Sequence, residues 1–183
     1  MVAYVFGVVG MFRLTRCAVS GSNPPDGVAR AAAWIAALVY AANPNLMYMQ
    51  STAMGEAVYL AFFIWAVAYF CEWVQGNPAA LTRCGLCIAG ACLTRYDGWF
   101  LAVATLILVF MRFGEQLFRS RGRAALHGRV SDAHSPGNLA PRASLLKFVL
   151  ISAAAPGLWL AYNAIVYRNP LEFENGPYSA KAI

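Results

Sequence analysis

The chain has 183 residues, 60% hydrophobic and only 12% charged, with a mean hydropathy of +0.54. Soluble domains carry about 25% charged residues, so a soluble globular domain is excluded and an integral membrane protein is expected. The net charge of +6 resides in arginines placed between apolar runs, where it signals topology and not nucleic-acid binding.

The apolar runs are continuous and do not alternate with period two, which selects helices over a barrel. Met1–Phe12 is apolar, short and followed by Arg13 and Arg16. A signal peptide carries its positive charge first, so the order is reversed. The stretch reads as the end of a transmembrane helix, and the chain is expected to be an N-terminally truncated fragment. Arg13–Gly27 reads as a loop, dense in turn residues from Ser20 onward. Val28–Met49 is an apolar run of about 22 residues in which only Arg30 is charged, and Ala57–Phe70 has no charge. Each approaches the roughly 20 residues needed to cross a bilayer. Asn43-Pro44 breaks helical hydrogen bonding near the end of the first run. Glu56 is a lone acid between the two, expected at the membrane surface. Gln75-Gly76-Asn77-Pro78 makes the next turn.

Leu81–Met111, at about 31 residues, is too long for one ordinary span. Thr94-Arg95-Tyr96-Asp97-Gly98 interrupts it and divides it into Leu81–Leu93 and Trp99–Met111. At about 13 residues each, these reach only about 20 Å against a hydrocarbon layer of about 30 Å. The turn between them is expected below the membrane surface, lining a polar cavity. Arg112–Ser144 reads as a mobile basic cytoplasmic loop, in which His127 and His134 receive no role. Leu145–Val166 is the last span, with Lys147 at its start and a kink expected at Pro156-Gly157. A polar tail, Tyr167–Ile183, follows. The expected fold is therefore all-α: one polytopic transmembrane helix bundle over residues 1–183. It would have about six membrane segments, one truncated and two short.

Alternating the loops of such a bundle puts Arg13, Arg16, Arg30, Arg83, Lys147 and the six arginines between 112 and 142 on one side. Arg95, Arg168 and Lys181 fall on the other. The positive-inside rule makes the first side cytoplasmic. Treating Leu81–Met111 as one span would put the basic segment outside, so charge and length both favour the division. Glu56, the Arg95–Asp97 turn and the Glu172–Tyr178 tail then share the extracytoplasmic face.

Each of these has two readings. Glu56 can be a catalytic or metal-binding carboxylate, or an acid favoured by the helix dipole behind a Ser51 or Thr52 cap. Arg95 and Asp97, with Tyr96 between them, can bind an anionic substrate, since the guanidinium fork suits phosphate. They can equally form a local ion pair. Glu172, Glu174 and Tyr178 can bind polar substrate groups or form an interfacial loop with an aromatic anchor. Cys84-Gly85-Leu86-Cys87 has C-x-x-C spacing but no second pair and no nearby His. The five cysteines, with Cys17, Cys71 and Cys92, therefore read as small hydrophobes and not as a zinc site. No P-loop, nucleophile elbow or H-E-x-x-H pattern is present.

Asn43-Pro44 with Ser51-Thr52-Ala53-Met54-Gly55-Glu56, then Leu93-Thr94-Arg95-Tyr96-Asp97-Gly98, form an ordered set of motifs. Trp159-Leu160-Ala161-Tyr162-Asn163, Asn169-Pro170-Leu171-Glu172-Phe173 and Gly176-Pro177-Tyr178-Ser179 complete it. The set resembles bacterial multi-spanning GT-C glycosyltransferases, relatives of the protein O-mannosyltransferases and the lipid A aminoarabinose transferases. The resemblance implies an enzyme of the bacterial inner membrane that moves a sugar, with inversion, from a polyprenyl-phosphate donor to a protein, lipid or glycan. It implies that Glu56 positions the acceptor or binds a divalent metal. Arg95 would neutralise the leaving phosphate, a form of electrostatic catalysis. In that family the main catalytic aspartate lies in a loop after the first span. No residue here takes that role, so the isolated chain is expected to be inactive. A transporter or flippase and a non-enzymatic assembly subunit are the other classes open to such a sequence.

Overall fold

The computed structural model describes residues 1–21, 25–51, 55–126, 139–169 and 171, and among them contains seven α-helices and no strand. They are α1 (Val2–Ser20), α2 (Asp26–Ala41), α3 (Pro44–Ser51), α4 (Glu56–Val74), α5 (Pro78–Thr94), α6 (Asp97–Leu126) and α7 (Leu139–Tyr167). Four are long and apolar enough to cross a membrane: α1, α4, Asp97–Glu115 of α6 and Ala143–Tyr167 of α7. The protein is an all-α membrane bundle. α2 and α5 are shorter, at 16 and 17 residues.

Three boundaries differ from the sequence reading. First, α1 does not end near Phe12 but continues through Arg13 and Arg16 for 19 residues, long enough to cross a membrane. The guanidinium of Arg13 meets Glu72 of α4 with two hydrogen bonds, Nε to Oε1 at 2.5 Å and Nη2 to Oε2 at 3.1 Å. It also lies 5.3 Å from the Trp65 ring centre and 5.2 Å from that of Tyr69. A cation so compensated can stay inside a helix. Second, the Val28–Met49 run is not one helix. Pro44 cannot donate to the preceding turn, so α2 stops at Ala41 and Pro44 opens the eight-residue α3. Third, the division of Leu81–Met111 holds at Arg95-Tyr96, but α6 is not short. It runs 30 residues, into the segment read as a loop, and α7 already begins at Leu139. An Arg112–Glu115 pair at 3.4 Å, one turn apart, supports the extension. Residues 127–138 lie outside the described residues.

The helices pack in the spatial order α2, α1, α4, α5, α7, with α6 also against α5. α5 is the centre because its side chains are small. Ala80, Cys84, Gly85, Cys87, Ala91 and Cys92 are all buried, and close backbone approach is what packs helices in lipid. Cys17 and Cys71 are half-buried, and all five thiols are free. Phe148 of α7 fills the space over Gly85. α1 meets α4 through Gly10, beside which the Trp65 ring lies stacked on Phe6 at 4.7 Å, its Nε1 donating to the Phe6 carbonyl at 2.8 Å. A Cβ on Gly10 would sit 2.8 Å from Trp65 Nε1. Gly10→Ala is therefore expected to displace that indole, costing about 1–3 kcal/mol. Thermal unfolding in detergent, with Trp fluorescence as the signal, measures it.

The bonds between helices also define the two ends of the bundle. Tyr4 donates to the Ala41 carbonyl, and Gly55 lies against Thr94, at one end. Arg13–Glu72 and the bond from Gln75 to the Cys17 carbonyl mark the other.

Candidate functional site

The first end carries an ion network built from two separate parts of the sequence. Glu56 opens α4, with Gly55 as its cap residue and no side-chain capping bond. Ser51 does not supply one: its hydroxyl donates to the Tyr48 carbonyl at 2.8 Å. Thr52 lies outside the described residues. Arg95 closes α5 in an extended conformation, its N–H donating to the Ala91 carbonyl at 3.1 Å. Asp97 opens α6. The turn between α5 and α6 is tight, with Gly98 N–H to the Arg95 carbonyl at 3.1 Å and Trp99 N–H to that of Tyr96 at 2.9 Å.

Arg95 Nη1 donates to Glu56 Oε1 at 2.5 Å and Arg95 Nε to Asp97 Oδ2 at 3.0 Å. The three side chains are 39%, 32% and 56% exposed, so the network is reachable from outside. A guanidinium has five N–H donors. Glu56 and Asp97 use two of them, and both orient the fork without exhausting it. The second oxygen of Glu56, Oε2, is buried and has no hydrogen-bond partner among the described residues.

Beside Arg95 is a pocket of about 100 Å³, lined by Cys92, Leu93, Thr94, Arg95, Tyr96 and Trp159. At roughly 30 Å³ per water it holds about three waters, or one compact polar group. Tyr96 is half-exposed and meets the Trp159 ring edge-on at 5.7 Å. Three further polar atoms are buried without partners among the described residues: Trp159 Nε1, Asn163 Nδ2 and Gln50 Oε1. Trp159 and Asn163 lie four residues apart near the same end of α7, where Trp159 touches the Arg95–Asp97 turn. Buried polar groups normally have a partner, so their unused donors point to a polar occupant. Tyr59, one turn into α4, lies within electrostatic reach of both Arg95 and Asp97.

Of the residues singled out in the sequence, Glu56, Arg95 and Asp97 are joined and Tyr96 borders their pocket. Glu172, Glu174 and Tyr178 lie outside the described residues. Sequence reasoning did not single out Gln50, Tyr59, Trp159 or Asn163 as site residues. A tryptophan and an amide inside the apolar run of α7 were the available signal for the last two. Among the described residues no three His, Cys, Asp or Glu side chains converge. The two carboxylates here are separated by a cation.

Compared with protein-family models, with curated proteins and with solved structures, the chain matches none.

Proposed function

We propose that this chain is a membrane glycosyltransferase, or part of one, that moves a sugar from a polyprenyl-phosphate donor to an acceptor with inversion. The observation that supports it is Arg95, fixed by Glu56 and Asp97 at the rim of a small pocket with N–H donors to spare. The charge distribution supports an extracytoplasmic site in a bacterial inner membrane. The end bearing Arg13, Arg83 and Lys147 is rich in cations and so cytoplasmic by the positive-inside rule, and the Arg95 end is opposite.

In this reading the donor phosphate binds the unused face of the Arg95 fork, and its growing charge is neutralised as the bond from the sugar anomeric carbon to phosphate breaks. The acceptor hydroxyl donates to Glu56 Oε2, which orients it for attack on that carbon. Tyr96 and Trp159 offer ring faces to the sugar, and Trp159 Nε1 and Asn163 Nδ2 offer donors to its hydroxyls. In the resembled family an aspartate takes the acceptor proton as the new bond forms, a role assigned to none of the residues described here.

The test is sugar transfer from a polyprenyl-phosphate donor in membranes that carry the protein. Glu56→Ala and Arg95→Ala are each expected to lower transfer by about 100-fold. Undiminished transfer in both variants would sink the assignment.

A further inference from the structure

Arg83 stands in the apolar helix α5 without a counter-ion. Its side chain is exposed and makes no hydrogen bond or ion pair with any described residue. It lies five residues after Pro78, about 7.5 Å from the start of α5. Arg13 lies seven residues before Ser20, about 10 Å from the same end of the bundle. Cations at such depth in a membrane helix are costly unless an anion accompanies them. The acids at hand are taken: Glu72 holds Arg13, Glu56 and Asp97 hold Arg95, and Glu115 holds Arg112. Asp26, the other acid among the described residues, opens α2 on the far side of α1.

Arg83 is nevertheless held in place. Its guanidinium carbon lies 5.8 Å from the centre of the Tyr69 ring, and that of Arg13 lies 5.2 Å from the same centre. No more than the sum of the two, 11.0 Å, therefore separates the two cations. Like charges left to water would move apart. Here three helices, α1, α4 and α5, bring them to one ring, with Glu72 as the single carboxylate. One positive charge stays uncompensated.

The donors are also left over. Glu72 occupies Nε and one N–H of Nη2 on Arg13, so of the five N–H groups of that guanidinium about three remain. All those of Arg83 are unused. The Arg13 side chain is 41% exposed against 15% for Glu72, so the cation is the more accessible member of the pair. Trp65, 5.3 Å from the Arg13 guanidinium, braces it further. A fork fixed in advance loses little freedom when an anion binds. Two forks carried by different helices approach from two directions. The several oxygens of a phosphate can meet both, and a guanidinium binds phosphate through paired hydrogen bonds. We propose that Arg13 and Arg83 form a phosphate-binding site against Tyr69, at the end of the bundle opposite Arg95. The phosphate is that of an anionic lipid headgroup or a free phosphate ion, which share this chemistry. The site does not rest on the sugar-transfer reading.

Native mass spectrometry of the detergent-solubilised protein, with phosphatidylglycerol and phosphatidylcholine of identical acyl chains, reads the lipid source. The phosphorus resonance of inorganic phosphate, broadened on binding, reads the free ion. Phosphatidylglycerol is expected to be retained about fivefold over phosphatidylcholine, the worth of one arginine at an anionic headgroup, and Arg83→Gln should abolish that preference. Lys147→Gln is the control. Lys147 is exposed on α7 next to Phe148, which packs over Gly85, so it shares the level of Arg83 on a helix that does not flank Tyr69. Its loss should leave the preference unchanged. Broadening of inorganic phosphate that is lost in Arg83→Gln, without a lipid preference, would support the site and make the free ion its ligand. Neither preference nor broadening overturns the proposal. Equal losses in Arg83→Gln and Lys147→Gln also overturn it, since the diffuse charge of that end would then suffice. Should Arg83→Gln not fold, Arg83→Lys decides, because it keeps the charge and loses the fork. Binding weakened about threefold supports the paired forks, and unchanged binding overturns them.

Discussion

Replacing Arg95 by alanine is expected to separate catalysis from stability. The three members of the network are between a third and just over half exposed, so solvent screens the pairs and their loss should cost only about 1 kcal/mol of stability. Loss of charge neutralisation at a leaving phosphate is a larger effect, about 2.7–4 kcal/mol by analogy with a single oxyanion donor, or roughly 100- to 1000-fold in rate. Arg95→Lys sharpens the contrast. It keeps the charge but not the fork that reaches two carboxylates and an anion together, so stability should recover more than transfer does. Paired measurements of unfolding temperature and sugar transfer in the protein check this. Transfer that falls only as far as the folded fraction does would make the network a clasp between α4, α5 and α6, as in a non-enzymatic assembly subunit.

The second large effect is expected at Gly98. A Cβ there would lie 2.6 Å from the backbone nitrogen of Cys92 and from the carbonyl carbon of Ala91. These are main-chain atoms of α5, which cannot swing aside as a side chain can. Gly98→Ala must therefore push the start of α6 away from α5, and Asp97 with it. A cost of about 3 kcal/mol is expected, at the upper end for overpacking, with the Arg95–Asp97 bond lost. Gly114 is the control, because nothing lies within 4 Å of its would-be Cβ. It sits inside α6, where alanine is the better helix former by about 1 kcal/mol. Gly114→Ala should raise the unfolding temperature and Gly98→Ala should lower it sharply. Similar shifts in both would refute the packing of this turn.

What the sequence disclosed follows from which interactions are local. The division at Arg95-Tyr96 was legible because a cluster of polar residues and a glycine interrupted an overlong apolar run. The break at Asn43-Pro44 was legible from proline chemistry, though its consequence, a 16-residue α2, was not drawn. The continuation of α1 was hidden, because Arg13 looks like a helix stop until Glu72, 59 residues away, is seen to pair with it. The length of α6 was hidden for a related reason: beyond Met111 it no longer needs to be apolar, only helical. In the site, Glu56, Arg95 and Asp97 stood out singly as charges near an apolar boundary. Glu56 and Arg95 lie 39 residues apart, and spacing along a chain carries no such information. Trp159 and Asn163 were visible as the ends of one motif but not as site residues, because a tryptophan in an apolar run looks like packing until its Nε1 is found without a partner among the described residues.

The central place of α5 has a consequence for how the protein is made. α5 is the most enclosed helix of the bundle and also a short one, about 25 Å at 1.5 Å per residue. Its glycine, alanine and cysteine faces suit neighbouring helices better than acyl chains. During synthesis α4 is already present to cover one of those faces, but α7, whose Phe148 seats on Gly85, emerges only after the whole of α6 and the basic segment. Until then α5 is a guest in the bilayer held by α4 and by its hairpin with α6. A chain halted before Leu139 should release α5 from the membrane far more readily than α4, and nascent-chain crosslinking to lipid would follow that release.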